Sequence, residues 1–286
     1  MARLTTRLAD WFAGEKIPVG DTADRVFDWL TVNASGLFDA IAAGMQAMID
    51  AILWALITPP PLAVIAVFML IALLLQRHWL TVIGVMLGFL YILNQGYWEE
   101  TMQSLTLVLA SCLVCMAIGV PTGIALAHRP RLYSWTRPLL DLMQTLPSFV
   151  YLIPAIVFFG IGLVPGLIAT VIFVLPAPIR LTQLGISSTP VALREAATAF
   201  GATPRQLLWK VELPSALPQI MAGLNQTIML SLSMVVIAAL VGASGLGVPV
   251  VRALNSVNTG LGFESGMVIV VVAVMLDRML RVRRKS

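Results

Sequence analysis

The amino-acid sequence predicts an all-α, polytopic membrane protein with about seven transmembrane helices and an N-terminal amphipathic helix. Two observations carry that reading. Hydrophobic residues make up 59% of the 286 positions and charged residues only 11%, against about 25% charged in soluble domains. The apolar residues also gather into runs near the length a membrane crossing needs, about 17–25 residues. A third observation bears on function: residues 187–216 are a charged, polar segment wedged between two such runs. No soluble stretch is long enough for a core of its own, so residues 59–280 read as one membrane domain.

Taken in chain order, residues 1–30 lack the apolar core of a cleavable leader and carry Asp10, Glu15, Asp21, Asp24 and Asp28 instead. Within 33–57, Leu37, Ile41, Met45, Met48, Ile52 and Leu56 recur at helical spacing, with Asp39, Gln46 and Asp50 on another face. Two aspartates make a full crossing costly, so the expectation is an amphipathic helix on the outer membrane surface, within a tail spanning 1–58. The alternative is a helix packed on the other spans as a scaffold. Pro59-Pro60-Pro61 breaks the chain before the first span. Spans are expected at about 60–76, 79–94, 101–127, 139–160, 164–179, 217–241 and 265–280. Cys112 and Cys115, one helical turn apart in an apolar run with no histidine near, read as small packing residues.

Charge distribution orients these spans. Arg77, Arg129, Arg131, Arg137, Arg180, Arg194, Arg205 and Lys210 fall on one side, with Arg278 and the basic tail 281–286. The other side holds Glu99, Glu100, Arg252 and Glu264, plus 60 N-terminal residues with four basic and seven acidic side chains, net −3. The positive-inside rule then places the N-terminus outside and the C-terminus in the cytoplasm of a bacterial inner membrane.

The polar segment has its own punctuation. Thr189-Pro190 and Thr203-Pro204 each read as an N-cap followed by proline at the first helical position. Gln206 completes a capping box with Thr203, and Gly201 supplies a left-handed residue between the two runs. Two short capped helices held at an angle are expected, on the side where ATP is.

The run Glu195-Ala196-Ala197, then Gly201, then Leu213-Pro214 resembles the EAA loop of ABC importer permeases. Arg137-Pro138-Leu139-Leu140-Asp141, Met143-Gln144-Thr145, Phe149-Val150-Tyr151-Leu152, Asn225-Gln226-Thr227, Ser233 to Ala238 and Leu276-Asp277-Arg278 resemble the glycine betaine/proline betaine and choline branch of that family. The likeness covers roughly residues 96 to 278 and leaves the first 60 unassigned. It implies a type I ABC importer permease fold and a loop that docks on a separate ATP-binding subunit. Glu195, Ala197 and Gly201 would form the docking core, Ala196 would allow close approach, and Arg205 and Lys210 would offer charge. Implied partners are two ATPase subunits, a second permease copy, an extracytoplasmic solute-binding protein and the bilayer, with no nucleic acid.

The chain carries no phosphate-cradling loop, since neither Lys16, Lys210 nor Lys285 follows a glycine. No cofactor is therefore expected on it, and ATP and Mg belong to the partner subunit. No nucleophile–base or metal set is evident, so no enzymatic activity is expected. His78 and His128 read as interfacial residues at span edges. The spans hold almost no ionisable groups, which argues against ion coupling. Asp141 and Asp277 sit at span ends, beside Arg137 and Arg278.

Two neutral polar clusters do lie within the spans. One comprises Gln144, Thr145, Ser148 and Tyr151; the other Asn225, Gln226, Thr227, Met229, Ser233 and Met234, with Ser231. Either they pack helix against helix, at about 0.6–2 kcal/mol per contact, or they line a translocation pathway. Gly242, Gly245 and Gly247 follow the sixth span as either a tight turn or a gate hinge. The expected function is thus the permease of an ATP-driven importer for glycine betaine, proline betaine or choline. The rival readings are import of another small zwitterion such as an amino acid, or an ATP-independent channel or carrier.

Overall fold

The computed structural model describes residues 18–280; Asp10, Glu15 and the basic tail 281–286 lie outside the described residues. The described residues with regular structure are all helical. They run α1 (Val19–Asn33), α2 (Ser35–Ile57), α3 (Pro61–Gln76), α4 (Trp79–Asn94), α5 (Trp98–Ala127), α6 (Pro130–Thr145), α7 (Leu152–Phe159), α8 (Leu163–Val174), α9 (Pro176–Ser187), α10 (Val191–Ala199), α11 (Pro204–Leu207), α12 (Leu213–Ala239), α13 (Gly247–Asn255) and α14 (Thr259–Leu280). A 3₁₀ turn, Ser148–Tyr151, precedes α7, and a π turn, Leu208–Glu212, joins α11 to α12.

The centre is the packing of α5, α9 and α12, and glycines set its closeness. A Cβ on Gly119 would lie 2.8 Å from Pro178, one on Gly123 2.7 Å from the Ile179 carbonyl oxygen, and one on Gly185 2.9 Å from Gln219. Without a hydrophobic drive between helices in lipid, such close backbone approach is what holds them. Gly119 and Gly123 stand one turn apart on α5, a small-residue pair that the sequence reading missed.

Three spans differ from expectation. The expected span 139–160 is a bent pair, Pro130–Thr145 and Ser148–Phe159, at 100°. Pro147 excludes the helical region for Leu146, which sits at ψ 135°. The expected span 164–179 continues to Ser187, because Leu175 stays helical and Pro176 opens the next segment at its first turn. The expected span 217–241 is the end of a 36-residue helix, Pro204–Ala239. At 1.5 Å per residue that is about 54 Å, against a hydrocarbon core of about 30 Å.

By length and composition, five described helices could cross a membrane: Ser35–Ile57, Trp98–Ala127, Leu163–Ser187, Pro204–Ala239 and Thr259–Leu280; the bent pair makes six. α3 and α4, at 16 residues each, are shorter. In α2, Met45, Met48, Ile52 and Leu56 of the expected stripe pack on the main core, while Asp39, Gln46 and Asp50 are exposed. Phe38 of α2 stacks on Phe158 at 4.4 Å, and Phe27 of α1, a helix not anticipated, meets the same ring at 5.4 Å.

The bundle has two distinct ends. Gly162 N–H donates to the Val241 carbonyl at 2.9 Å, which puts the α7–α8 turn and the end of α12 together. Phe158 and Phe159 belong to that end. At the other, Gln76 Nε2 donates to the Met279 carbonyl at 2.8 Å. α3 therefore starts toward the first end, and both ends of α2 lie there.

Candidate functional site

The polar segment folds as a helical hairpin rooted on the long α12. Gly201 has φ +76° and closes α10: its N–H bonds the Thr198 carbonyl at 2.9 Å and Ala202 N–H the Ala197 carbonyl at 3.0 Å. This pair of bonds satisfies the last carbonyls of α10. The capping box forms as expected, with Gln206 N–H bonding Thr203 Oγ1 at 3.3 Å and Thr203 N–H bonding Gln206 Oε1 at 2.9 Å. The first cap does not. Pro190 is the residue before α10, and Thr189 Oγ1 is buried with no hydrogen-bond partner among the described residues. The second short helix is also not separate, because α11 runs through the π turn into α12.

On this hairpin Glu195, Ala196, Gly201, Arg205, Lys210 and Pro214 are exposed, whereas Ala197 and Leu213 are half-buried. Two large apolar side chains overlooked in the sequence stand out beside them: Phe200 is 93% exposed and Trp209 70% exposed. Phe200 stands at the end of α10 and Trp209 in the π turn, each among charged side chains of the hairpin. Exposed aromatics with charged neighbours are typical anchors of a protein–protein contact.

The hairpin is tied to the bundle by a pair the sequence reading also missed. Glu212, within the π turn, is buried, and its Oε2 lies 2.8 Å from His128 Nε2 at the end of α5. His128 Nδ1 faces the Ile124 carbonyl at 2.9 Å. His128 is thus a helix-end strut to the hairpin root rather than a bare interfacial residue. Asp141 pairs not with Arg137 but with Arg180 of α9, at 2.7 Å. Asp277 accepts from Asn225 Nδ2 at 3.1 Å.

The two polar clusters meet in part. Tyr151 and Met234 are buried in one apolar cluster with Leu152 and Ala155. Tyr151 also braces the bend, since its hydroxyl donates to the Met143 carbonyl at 3.0 Å, one of the carbonyls left free where α6 ends. Thr227 is buried and donates to its own helix at Gly223, and Ser231 bonds Ser111 of α5 at 2.8 Å. These make packing contacts, as does Asn225. Gln226 and Ser233, two turns apart on α12, are exposed, as is Thr145 on α6; Gln144, Ser148 and Met229 are half-buried. A neutral polar face on an apolar helix suits a cavity or another protein surface better than lipid.

The glycine loop after α12 is a clasp. Leu246 N–H donates to the buried Ser104 Oγ of α5 at 2.8 Å, and Gly245, at φ +125°, leaves only 2.5 Å between its Cβ position and that oxygen.

Residues 119–279 match the family of binding-protein-dependent transport system inner membrane components. The chain is 46% identical over 278 residues to the glycine betaine transport system permease protein OpuAB of Bacillus subtilis (strain 168), covering 95% of this chain and 97% of that one. It is 42% identical over 272 residues to the glycine betaine/proline betaine transport system permease protein ProW of Escherichia coli (strain K12), covering 95% and 77%. Among solved structures, an inward-facing MetNI methionine ABC transporter chain is similar at TM-score 0.56 and 25% identity, covering 63% of this chain and 92% of that one.

Proposed function

The chain belongs to the family of binding-protein-dependent transport system inner membrane components, and on that premise we propose that it forms the membrane pathway of an ATP-driven importer for glycine betaine, proline betaine or carnitine. It is a transport subunit rather than an enzyme, and the rival reading of an ATP-independent channel or carrier gives way to the family. The observation that carries the mechanism is the hairpin: capped, closed at Gly201, tied to α5 through Glu212 and His128, and displaying Phe200 and Trp209. In this reading the hairpin docks on an ATPase subunit, with Glu195, Ala196, Ala197, Gly201, Arg205 and Lys210 in the contact. Closure of the ATPases then moves α12 and α5 together.

The assembly proposed holds two permease copies, two ATPase subunits and a solute-binding protein. The pathway runs along the exposed polar face of Gln226 and Ser233, opposite Thr145 and Gln144. The hairpin end is cytoplasmic, as the basic residues around it favour, and the N-terminus is outside. The crossings are α3, α4, α5, the bent pair, α8–α9, α12 and α14, with α2 on the outer surface; its exposed aspartates and its two ends at one side of the bundle support this.

The test is uptake of radiolabelled glycine betaine by proteoliposomes holding this chain, its ATPase and the binding protein. ATP-dependent accumulation that fails without the ATPase supports the reading. Accumulation without the ATPase overturns it. A cysteine replacing Ser286 should be labelled only in permeabilised cells; labelling in intact cells would reverse the orientation.

A further inference from the structure

At the end of the bundle opposite the hairpin, a cavity of about 280 Å³ lies between the start of α5, the glycine loop and α13. Tyr97, Glu100, Gln103, Ser244 and Arg252 are among the residues that line it. Glu100 and Arg252 carry opposite charges and line the same cavity, yet neither forms an ion pair with any described residue; the ion pairs among the described residues, His128–Glu212 and Arg180–Asp141, lie elsewhere. A half-buried negative charge and an exposed positive charge lining one small cavity complement a ligand that carries both.

We propose that this cavity is a solute site on the permease itself, for a small zwitterion with a quaternary ammonium at one end and a carboxylate at the other. The proposal rests on the importer reading above and names a second place of recognition within it. A quaternary ammonium has no N–H to donate, so only charge and aromatic faces can hold it. Glu100 and the Tyr97 ring supply both. Arg252 supplies the planar donor that a carboxylate requires, and Ser244 adds a hydroxyl. Tyr97 feels the whole set: burial pushes its phenol up, Glu264 and Glu100 push in the same direction, and Arg252 opposes them. The wall is preformed, because Gly245 packs on the Ser104 hydroxyl and the Glu100 carbonyl, so little ordering is needed on binding.

The test measures solute binding to the permease–ATPase complex in nanodiscs without the binding protein, by saturation-transfer NMR. Glycine betaine and choline are the probes, since choline lacks the carboxylate. Expected are binding of both to the wild type, about tenfold weaker glycine betaine binding in Arg252→Gln with choline unchanged, and weakening of both in Glu100→Gln. ATP-driven uptake by the complete system is run in parallel. Uptake with no solute binding to the complex overturns the site and leaves the importer intact. Equal effects of Arg252→Gln on both solutes overturn the charge assignment. Altered affinity only for the binding protein makes the cavity a docking surface and overturns the proposal. Absent uptake with binding present counts against the importer reading and for the site.

Discussion

His128 Nε2 lies 2.8 Å from Glu212 Oε2, which joins the end of α5 to the root of the hairpin across 84 residues of sequence. The carboxylate is 3% exposed and the imidazole 46%. With the other ring nitrogen bonded to Ile124, the pair is held in one orientation. A buried carboxylate that loses the one donor it meets among the described residues keeps the desolvation cost without compensation. His128→Leu should therefore lower stability by about 1–3 kcal/mol, read as the thermal unfolding midpoint of the purified complex. Glu212→Gln, which keeps an oxygen acceptor, should cost less. Equal midpoints for wild type and His128→Leu would contradict the tie.

Gly201 tests the hairpin's geometry apart from its contacts. No atom lies within 4 Å of its Cβ position, so only its φ of +76° restricts it. Gly201→Val should cost about 1–2 kcal/mol and reduce ATPase association, whereas Gly201→Asn should be tolerated, because asparagine visits that region readily. Co-purification of the ATPase with each variant measures this; equal recovery would show that the turn does not position the docking face.

The glycine contacts of α5 predict a position-specific pattern. A side chain at Gly123 meets the Ile179 backbone at 2.7 Å, while nothing lies within 4 Å of Gly84. Gly123→Val should destabilise by about 1–3 kcal/mol or prevent assembly, and Gly84→Ala should be near neutral. Thermal melts of the two variants side by side decide it.

Tyr151→Phe removes the donor that satisfies the Met143 carbonyl at the bend while keeping the ring in its cluster. The expected loss is about 1 kcal/mol, with uptake slowed if the bend belongs to the pathway. Unchanged stability would mean that the carbonyl finds another partner.

Gln226→Trp and Ser233→Trp place bulk on the exposed polar face of α12 without touching its buried side. Uptake should fall at unchanged expression in both. Normal uptake would assign that face to packing against a second copy or to lipid.

Much of this was legible in the sequence because it is local. The Thr203–Gln206 box and the Gly201 turn depend on residues within about four positions, where backbone geometry and sterics leave few choices; the break at Pro147 is equally local, yet the expectation of one span over 139–160 passed over it. Composition alone settled that the chain is a membrane protein. The tertiary structure decided which helix faces meet. Arg180 rather than Arg137 reaches Asp141, Asn225 spends its amide on Asp277, and His128 finds Glu212. α11 runs into α12 through the π turn Leu208–Glu212, which no local signal marks. Such pairings depend on helix crossing and rotation, which close glycine contacts between distant segments impose and spacing along one chain does not encode.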